Sequence, residues 1–352
     1  MARVVLFEDD EDTFADLSVI LKAGLSAGIE LCRFPGKGAA SADELMTAIL
    51  GFVSEPEMAA LVVLDYDLTK YLSRPPRQLV RGVIDELYVP LVTYTAPRAD
   101  HANFRKLMRW SDAEILIDTT RDTDTIAKSC VAIANGFVAI RECFAEKVEP
   151  HADFVARVLR LLGASPKTHA VVEQYAIAAF RRLVQVEKLD ESLRNRLACC
   201  AVGYWICNQL LMFPGLLVPA VAAASYLDID VGEFADVNVR AVFDGALYGG
   251  PFSQLGPFWW VSELDAIRGG QMRPKDRELI SGAVAAERAL DRAPLRPSMC
   301  IKGHAHAGYY CLIHEAAVCE EHSTHPGTWL PVGADLSRVE TERFKQLSPW
   351  AV

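Results

Sequence analysis

Glu8 and Asp9 in VVLFEDDED, Asp65 in LVVLDYDL and Thr95 in PLVTYTAP supply three carboxylates and a hydroxyl, each at the end of a short apolar run. Carboxylates gathered in one place raise one another's pKa unless a cation joins them, and an all-oxygen set suits a hard divalent ion such as Mg2+. A carboxylate beside such an ion can attack a phosphoryl donor, because the ion offsets the repulsion between two anions. Asp65 is the candidate nucleophile, and Thr95 can donate a hydrogen bond to a phosphoryl oxygen. Glu8, Asp9, Asp10 and Glu11 taken alone also fit a plainer arrangement, a solvated acidic turn at a helix start.

The elements around these residues decide whether they meet. Apolar runs at 3–7, 29–34, 60–65, 89–95 and 114–118 alternate with helix-like stretches from Asp12 to Ala23, from Ser41, up to Leu87, over 103–110 and over 122–145. Unbroken apolar strands alternating with helices specify a parallel sheet covered on both faces. The fold class is therefore α/β, a doubly wound five-stranded parallel sheet, followed by a mainly helical domain with a small C-terminal β-containing segment. In such sheets ligands gather beyond the carboxyl ends of the strands, where the strand order reverses. All of the residues named above lie at that edge.

Over residues 1–145 this pattern resembles the receiver domain of bacterial response regulators. VVLFEDDED is similar to the family's first-strand acid pair, LVVLDYDL to its phosphoacceptor segment, and VTYTAP to its hydroxyl and small-residue step at Thr95 and Ala96. The resemblance implies a flavodoxin-like strand order and phosphorylation of Asp65. It implies Mg2+ bound by Asp9 and Asp65, by Glu8 through water and by the backbone carbonyl of Asp67. It also implies a histidine kinase or other phosphodonor protein as partner. One position departs from the family: Asp118, in EILIDTT, stands where receivers carry a lysine that pairs with the phosphoryl group. Lys70 and Arg98, on the loops after Asp65 and Thr95, are the candidate replacement cations.

A chain of 352 residues is long for one core, and its pattern divides at 1–145, 147–296 and 297–352. A 51% hydrophobic composition with 23% charged residues is that of a globular protein. The net charge of -10 repels phosphate backbones, so no nucleic-acid partner is expected. The stretch 216–234, LLVPAVAAASYLDIDVGEF, has the small-residue rhythm of a helix-turn-helix, but residues 218–268 carry seven acids against Arg240 and Arg268. The greasy stretch 197–227 is interrupted by Asn208, Gln209, Pro214 and Pro219, which favours a buried helical hairpin over a membrane span. With no signal-peptide pattern and scattered cysteines, a reduced cytoplasmic protein is expected, with homo-oligomer formation left open.

Helices are expected over 154–162, from Ser165 and Pro166 to Val186, and from Asp190 to Phe213. A short one follows Ser337 and Glu340, which are spaced as a capping box. Five of the eight histidines and three of the nine cysteines fall within residues 300–325. Cys300, His304, Cys311, His314, Cys319 and His322 are candidate Zn2+ ligands, because thiolate and imidazole suit tetrahedral zinc. A Cys/His catalytic dyad, or packed cysteines with surface histidines, fits the same residues. Three functions follow: a signalling protein whose divergent receiver regulates a helical output through protein contacts, a receiver-regulated enzyme with a C-terminal Cys/His site, or a phosphoryl sink or pseudo-receiver scaffold.

Overall fold

The apolar runs of the first third form strands because they are buried on both faces, a condition only a sheet sandwiched between helices provides. The computed structural model describes residues 2–35, 41–53, 59–65, 68, 77–95, 114–118, 122–145, 152–166, 168–169, 172–175, 191–269 and 280–347. Within them, β1 (Ala2–Phe7), β2 (Ile29–Arg33), β3 (Ala59–Asp65), β4 (Leu91–Thr95) and β5 (Ile115–Asp118) make one sheet in the order β2-β1-β3-β4-β5. Every neighbouring pair is parallel. The helices between them are α1 (Glu11–Gly24), α2 (Ala42–Val53) and α3 (Arg77–Leu87), and α4 (Thr123–Cys143) follows β5. Asp10 caps α1 by accepting from the N–H groups of Asp12 and Thr13, and Asp122 caps α4 through the Thr125 N–H.

The order reverses between β1 and β3, since the chain leaves β1 for one side and returns to β3 on the other. Alternation along each strand separates two cores. Val5, Phe7, Val62 and Leu64 pack with Leu45 and Ile49 of α2 and Val83 and Ile84 of α3. Val4, Leu6, Leu61, Val63, Val92 and Tyr94 face α1 and α4.

Helix α4 is buried on two sides, with ten of its residues inside the protein. One side covers the sheet, and the other receives the helix Glu191–Trp205. Close approach depends on two glycines. A Cβ on Gly203 would lie 2.0 Å from the Phe137 ring, and one on Gly136 would lie 2.3 Å from the Phe252 ring. Phe137 meets Tyr204 and Phe252 edge to face, at centroid distances of 5.9 and 5.3 Å.

Polar contacts fix this packing at the amino ends of β4 and β5. The Leu91 N–H donates to the Tyr204 hydroxyl at 2.9 Å, and Arg196 donates to the Leu87 carbonyl at 3.0 Å. The Asn208 amide donates to the Glu114 carbonyl at 2.8 Å. Asn208 lies in a π-helical turn, Ile206–Leu210, so the helix expected to reach Phe213 instead ends at Trp205 and widens.

Beyond it, β6 (Leu217–Pro219) pairs antiparallel with β7 (Phe258–Trp260), so the expected helical hairpin contains a short strand. Pro219 then immediately precedes the helix Ala220–Leu227. A mixed four-stranded sheet closes the described chain: β8 (Tyr309–Cys311), β9 (Ala316–Val318), β10 (Ser323–Thr324) and β11 (Ser337–Glu340), ordered β10-β11-β8-β9. Ser337 and Glu340 are thus strand residues and not a capping box. Ser337 and Val339 point inward on the strand period, and the Ser337 hydroxyl donates to the Pro214 carbonyl at 2.9 Å. Glu340 itself caps the final helix, Thr341–Leu347, by accepting from the Arg343 N–H at 2.9 Å. Among the described residues, no helix is long and apolar enough to cross a membrane.

Gly203→Ala adds about 1 kcal/mol of helix propensity but overpacks the Phe137 contact, which costs about 1–3 kcal/mol. Urea unfolding should show a net loss of stability. Gly51→Ala, at an exposed α2 position with open space beside it, should give a small gain. Equal and favourable shifts in both variants would show that the Phe137 ring does not depend on the missing Cβ.

Candidate metal centre

Register brings the acids together. Phe7 pairs with Leu64, so the next residues along each strand, Glu8 and Asp65, emerge side by side at the carboxyl edge of the sheet. Each of Glu8, Asp9 and Asp65 offers a carboxylate oxygen within 4.8 Å of the other two. Glu8 is buried at 1% exposure, Asp9 is nearly so at 9%, and Asp65 is half-buried. The group sits at the β1/β3 reversal, where a doubly wound sheet opens its crevice.

Glu8 is held at both oxygens. The Asp10 N–H donates to Oε1 at 2.7 Å, and the Tyr94 hydroxyl donates to Oε2 in a short hydrogen bond. Arg33, at the end of β2, donates to the Glu8 carbonyl through Nε and Nη2 at 3.1 and 3.0 Å. Its remaining arm pairs with Glu11, and its guanidinium lies over the Phe14 ring, 4.4 Å from the centroid.

These surroundings shift the protonation of both buried partners. Burial pushes the Glu8 carboxyl above its ordinary range, and the negative charges of Asp9 and Asp10 add to the effect. The bonds from Tyr94 and the Asp10 N–H counter it in part. Tyr94 is pushed far above an ordinary phenol, first by burial and then by the charges of Asp65 and Glu8, so it stays a neutral donor. The donor set is all oxygen and acidic, with Asp65 as its most exposed member. That chemistry fits a hard divalent cation such as Mg2+.

Thr95 and Asp118, the last residues of β4 and β5, are register partners at this same edge, placed by their backbones. Asp67, Lys70, Ala96 and Arg98 lie outside the described residues. Sequence reasoning missed Tyr94 and Arg33. The signal for Tyr94 was a hydroxyl inside an otherwise buried strand, where it must find a partner. Arg33 had no comparable signal, since its role depends on β2 lying beside β1.

A second group forms near the C-terminus from Cys300, Cys319 and His322, whose ligand atoms also lie within 4.8 Å of one another. The His304 ring rests edge-on against His322, at a centroid distance of 4.3 Å. Cys311 and His314 are not brought into this group. Cys311 is fully buried in β8 and accepts from the Glu340 N–H at 3.4 Å, while exposed His314 lies 4.0 Å from Glu340. Burial raises the Cys319 thiol, the opposite of what a nucleophilic dyad with His322 requires.

No protein family, curated protein or solved structure matches the chain.

A carboxyl group raised on folding binds its proton more tightly in the folded state. Its contribution is fully present below the ordinary value of 4.5 and is lost as pH rises through the raised folded value. In chelator-treated protein, the stability of the wild type relative to Glu8→Gln should therefore fall across that window. Glutamine forfeits one of the two hydrogen bonds at every pH, so the slope and not the offset carries the result. Urea unfolding at a series of pH values checks it, and a flat difference would remove Glu8 as a strained acid.

Proposed function

We propose that residues 2–145 work as a divergent receiver of the bacterial response-regulator type, accepting or sensing a phosphoryl group at Asp65. The observation that carries this reading is the convergence of Glu8, Asp9 and Asp65 from the ends of β1 and β3 at the reversal of a 2-1-3-4-5 sheet. Mg2+, when bound by Glu8, Asp9, Asp65 and the Asp67 carbonyl, supplies charge neutralisation for an anionic nucleophile meeting an anionic donor. Asp65 is suited to the attack because it is the most exposed carboxylate of the three. Glu8 is less suited, being buried and held at both oxygens. Thr95, which ends the adjoining strand, and Ala96, the next residue in sequence, are assigned to the phosphoryl oxygens, with Lys70 as a replacement cation.

The phosphodonor is a histidine kinase or another phosphodonor protein, and the output is a contact made by residues 147–352. One strand gives a physical route between them. β4 carries Tyr94 beside the acids at one end and the Leu91–Tyr204 bond to the second half of the chain at the other. A new phosphoryl charge biases a packed element only where the two ends are joined in this way.

Asp118 favours a second reading, a metal-binding pseudo-receiver. Its backbone pairs with Thr95 at the edge where a phosphoryl group would sit. A carboxylate there repels the group that a lysine would hold.

Incubation with Mg2+ and a small phosphodonor should add the mass of one phosphoryl group to the wild type and none to Asp65→Asn. Asp118→Lys should accelerate the reaction at least roughly tenfold, the equivalent of one charge-assisted hydrogen bond. If neither protein gains mass but Mg2+ binding depends on Asp9 and Asp65, the pseudo-receiver reading stands. Absence of Mg2+ binding as well would end both readings.

A further inference from the structure

Two turns of the C-terminal unit face each other with sulfur and nitrogen atoms between them. The first runs from Cys300 to His304. It is closed by the Gly303 N–H to the Cys300 carbonyl and the Cys300 N–H to the His304 carbonyl, both at 2.7 Å. Gly303 holds φ at +84°, a conformation that other residues adopt only with strain. The Lys302 N–H points at the Cys300 sulfur from 3.5 Å. The turn is pinned to β9 by the Ile301 N–H donating to the Ala317 carbonyl at 3.1 Å. The second turn leaves the end of β9 at Cys319 and closes through the His322 N–H to the Cys319 carbonyl at 3.2 Å.

The ligand atoms of Cys300, Cys319 and His322 lie close enough together to surround one small ion. His322 Nδ1 lies 3.1 Å from the Cys319 sulfur and 3.8 Å from the Cys300 sulfur. Bonds of about 2.3 Å to sulfur and 2.0 Å to nitrogen put tetrahedral ligand atoms roughly 3.5–3.8 Å apart. His304 lies outside that close group, with its exposed ring against that of His322, and a turn of its side chain would bring a fourth donor. The carboxylate of Glu321 lies 3.6 Å from His304 Nδ1. Both cysteines are buried and unbridged.

We propose that Cys300, His304, Cys319 and His322 bind one zinc ion that staples these two turns together. Thiolate and imidazole donors select zinc over the oxygen-seeking Mg2+. With Cys300, Cys319 and His322 gathered and His304 as the fourth ligand, no coordination position stays open, and such a site is structural and not hydrolytic. Its need is physical: strands of two to four residues make this sheet, and a small sheet of short strands gains most from a metal staple. The inference does not depend on the receiver reading, which concerns other residues and another metal.

Metal analysis of the full chain, purified without chelator or histidine tag, should find one zinc per chain that survives dialysis. Cys300→Ser and Cys319→Ser should lose it, whereas Cys311→Ser should keep it. His304→Ala alters a half-exposed side chain outside the core, and should release zinc to a competing chelator more readily by over roughly tenfold. Replacement by Co2+ should give the visible bands of a tetrahedral ion with thiolate charge transfer, which an unfolded variant cannot mimic. Substoichiometric zinc after refolding in its presence, unchanged zinc in Cys300→Ser, or a Cys300–Cys319 disulfide in the purified protein would each overturn the proposal.

Discussion

The arrangement depends on helix α4 being buried on both sides. A helix that covers a sheet ordinarily turns a polar face to water, but Phe137 and its neighbours on α4 meet a second apolar layer from the helix Glu191–Trp205 and from Phe252. Glycine at 136 and 203 is what allows the rings this close. Burying one such ring is worth about 1.5–3 kcal/mol, against about 1 kcal/mol for each hydrogen bond made by Tyr204 and Asn208. Packing therefore holds the two halves of the chain together, and the hydrogen bonds set where along β4 and β5 they join. The apolar core containing Val4 and Leu61 accordingly also contains Tyr204, Phe252 and Trp260.

That junction leaves the opposite edge of the sheet for the carboxylates, and their mutual repulsion is the other large term. Two unit charges within 4.8 Å repel by about 3 kcal/mol at an effective dielectric constant near 20. A single neutral hydrogen bond returns about 1 kcal/mol, so Tyr94 and the Asp10 N–H together do not offset three ionised carboxylates. A proton on Glu8, which its burial favours, or a cation shared among the three would each relieve that repulsion. Arg33 donates to the Glu8 carbonyl and pairs with Glu11 beside this group. The same fields keep Tyr94 a neutral donor.

The five strands and the acids at their ends were legible in the sequence because both signals are local. An unbroken apolar run names a buried strand, and a carboxylate straight after it names the edge. Features set by pairing partners were not legible. Ser337 and Glu340 satisfy the spacing of a capping box, yet the register of β11 against β8 and β10 outweighs one turn of helix. Arg33 matters because β2 lies beside β1, and the π-helical turn at Ile206–Leu210 matters because Asn208 meets a carbonyl far away in sequence. CLIH and CEEH look alike as Cys-x-x-His segments, but only the fold distinguishes them. It buries Cys311 under β11 and turns Cys319 toward Cys300.

The two candidate metal groups differ in donor chemistry, and that difference bears on how they could coexist in one chain. The acids at the sheet edge offer only oxygen, whose hard character suits a divalent ion such as Mg2+. The sulfur and nitrogen set at Cys300, His304, Cys319 and His322 suits an ion retained as part of the fold. Ligand softness sorts the metals more reliably than affinity alone, since most transition ions would bind the carboxylates more tightly than Mg2+ does. A pocket whose buried member, Glu8, is already held by Tyr94 and the Asp10 N–H keeps a fixed geometry before any ion arrives. A cation bound there would relieve the repulsion at one end of β4, the strand whose other end contacts the second half of the chain through Leu91 and Tyr204.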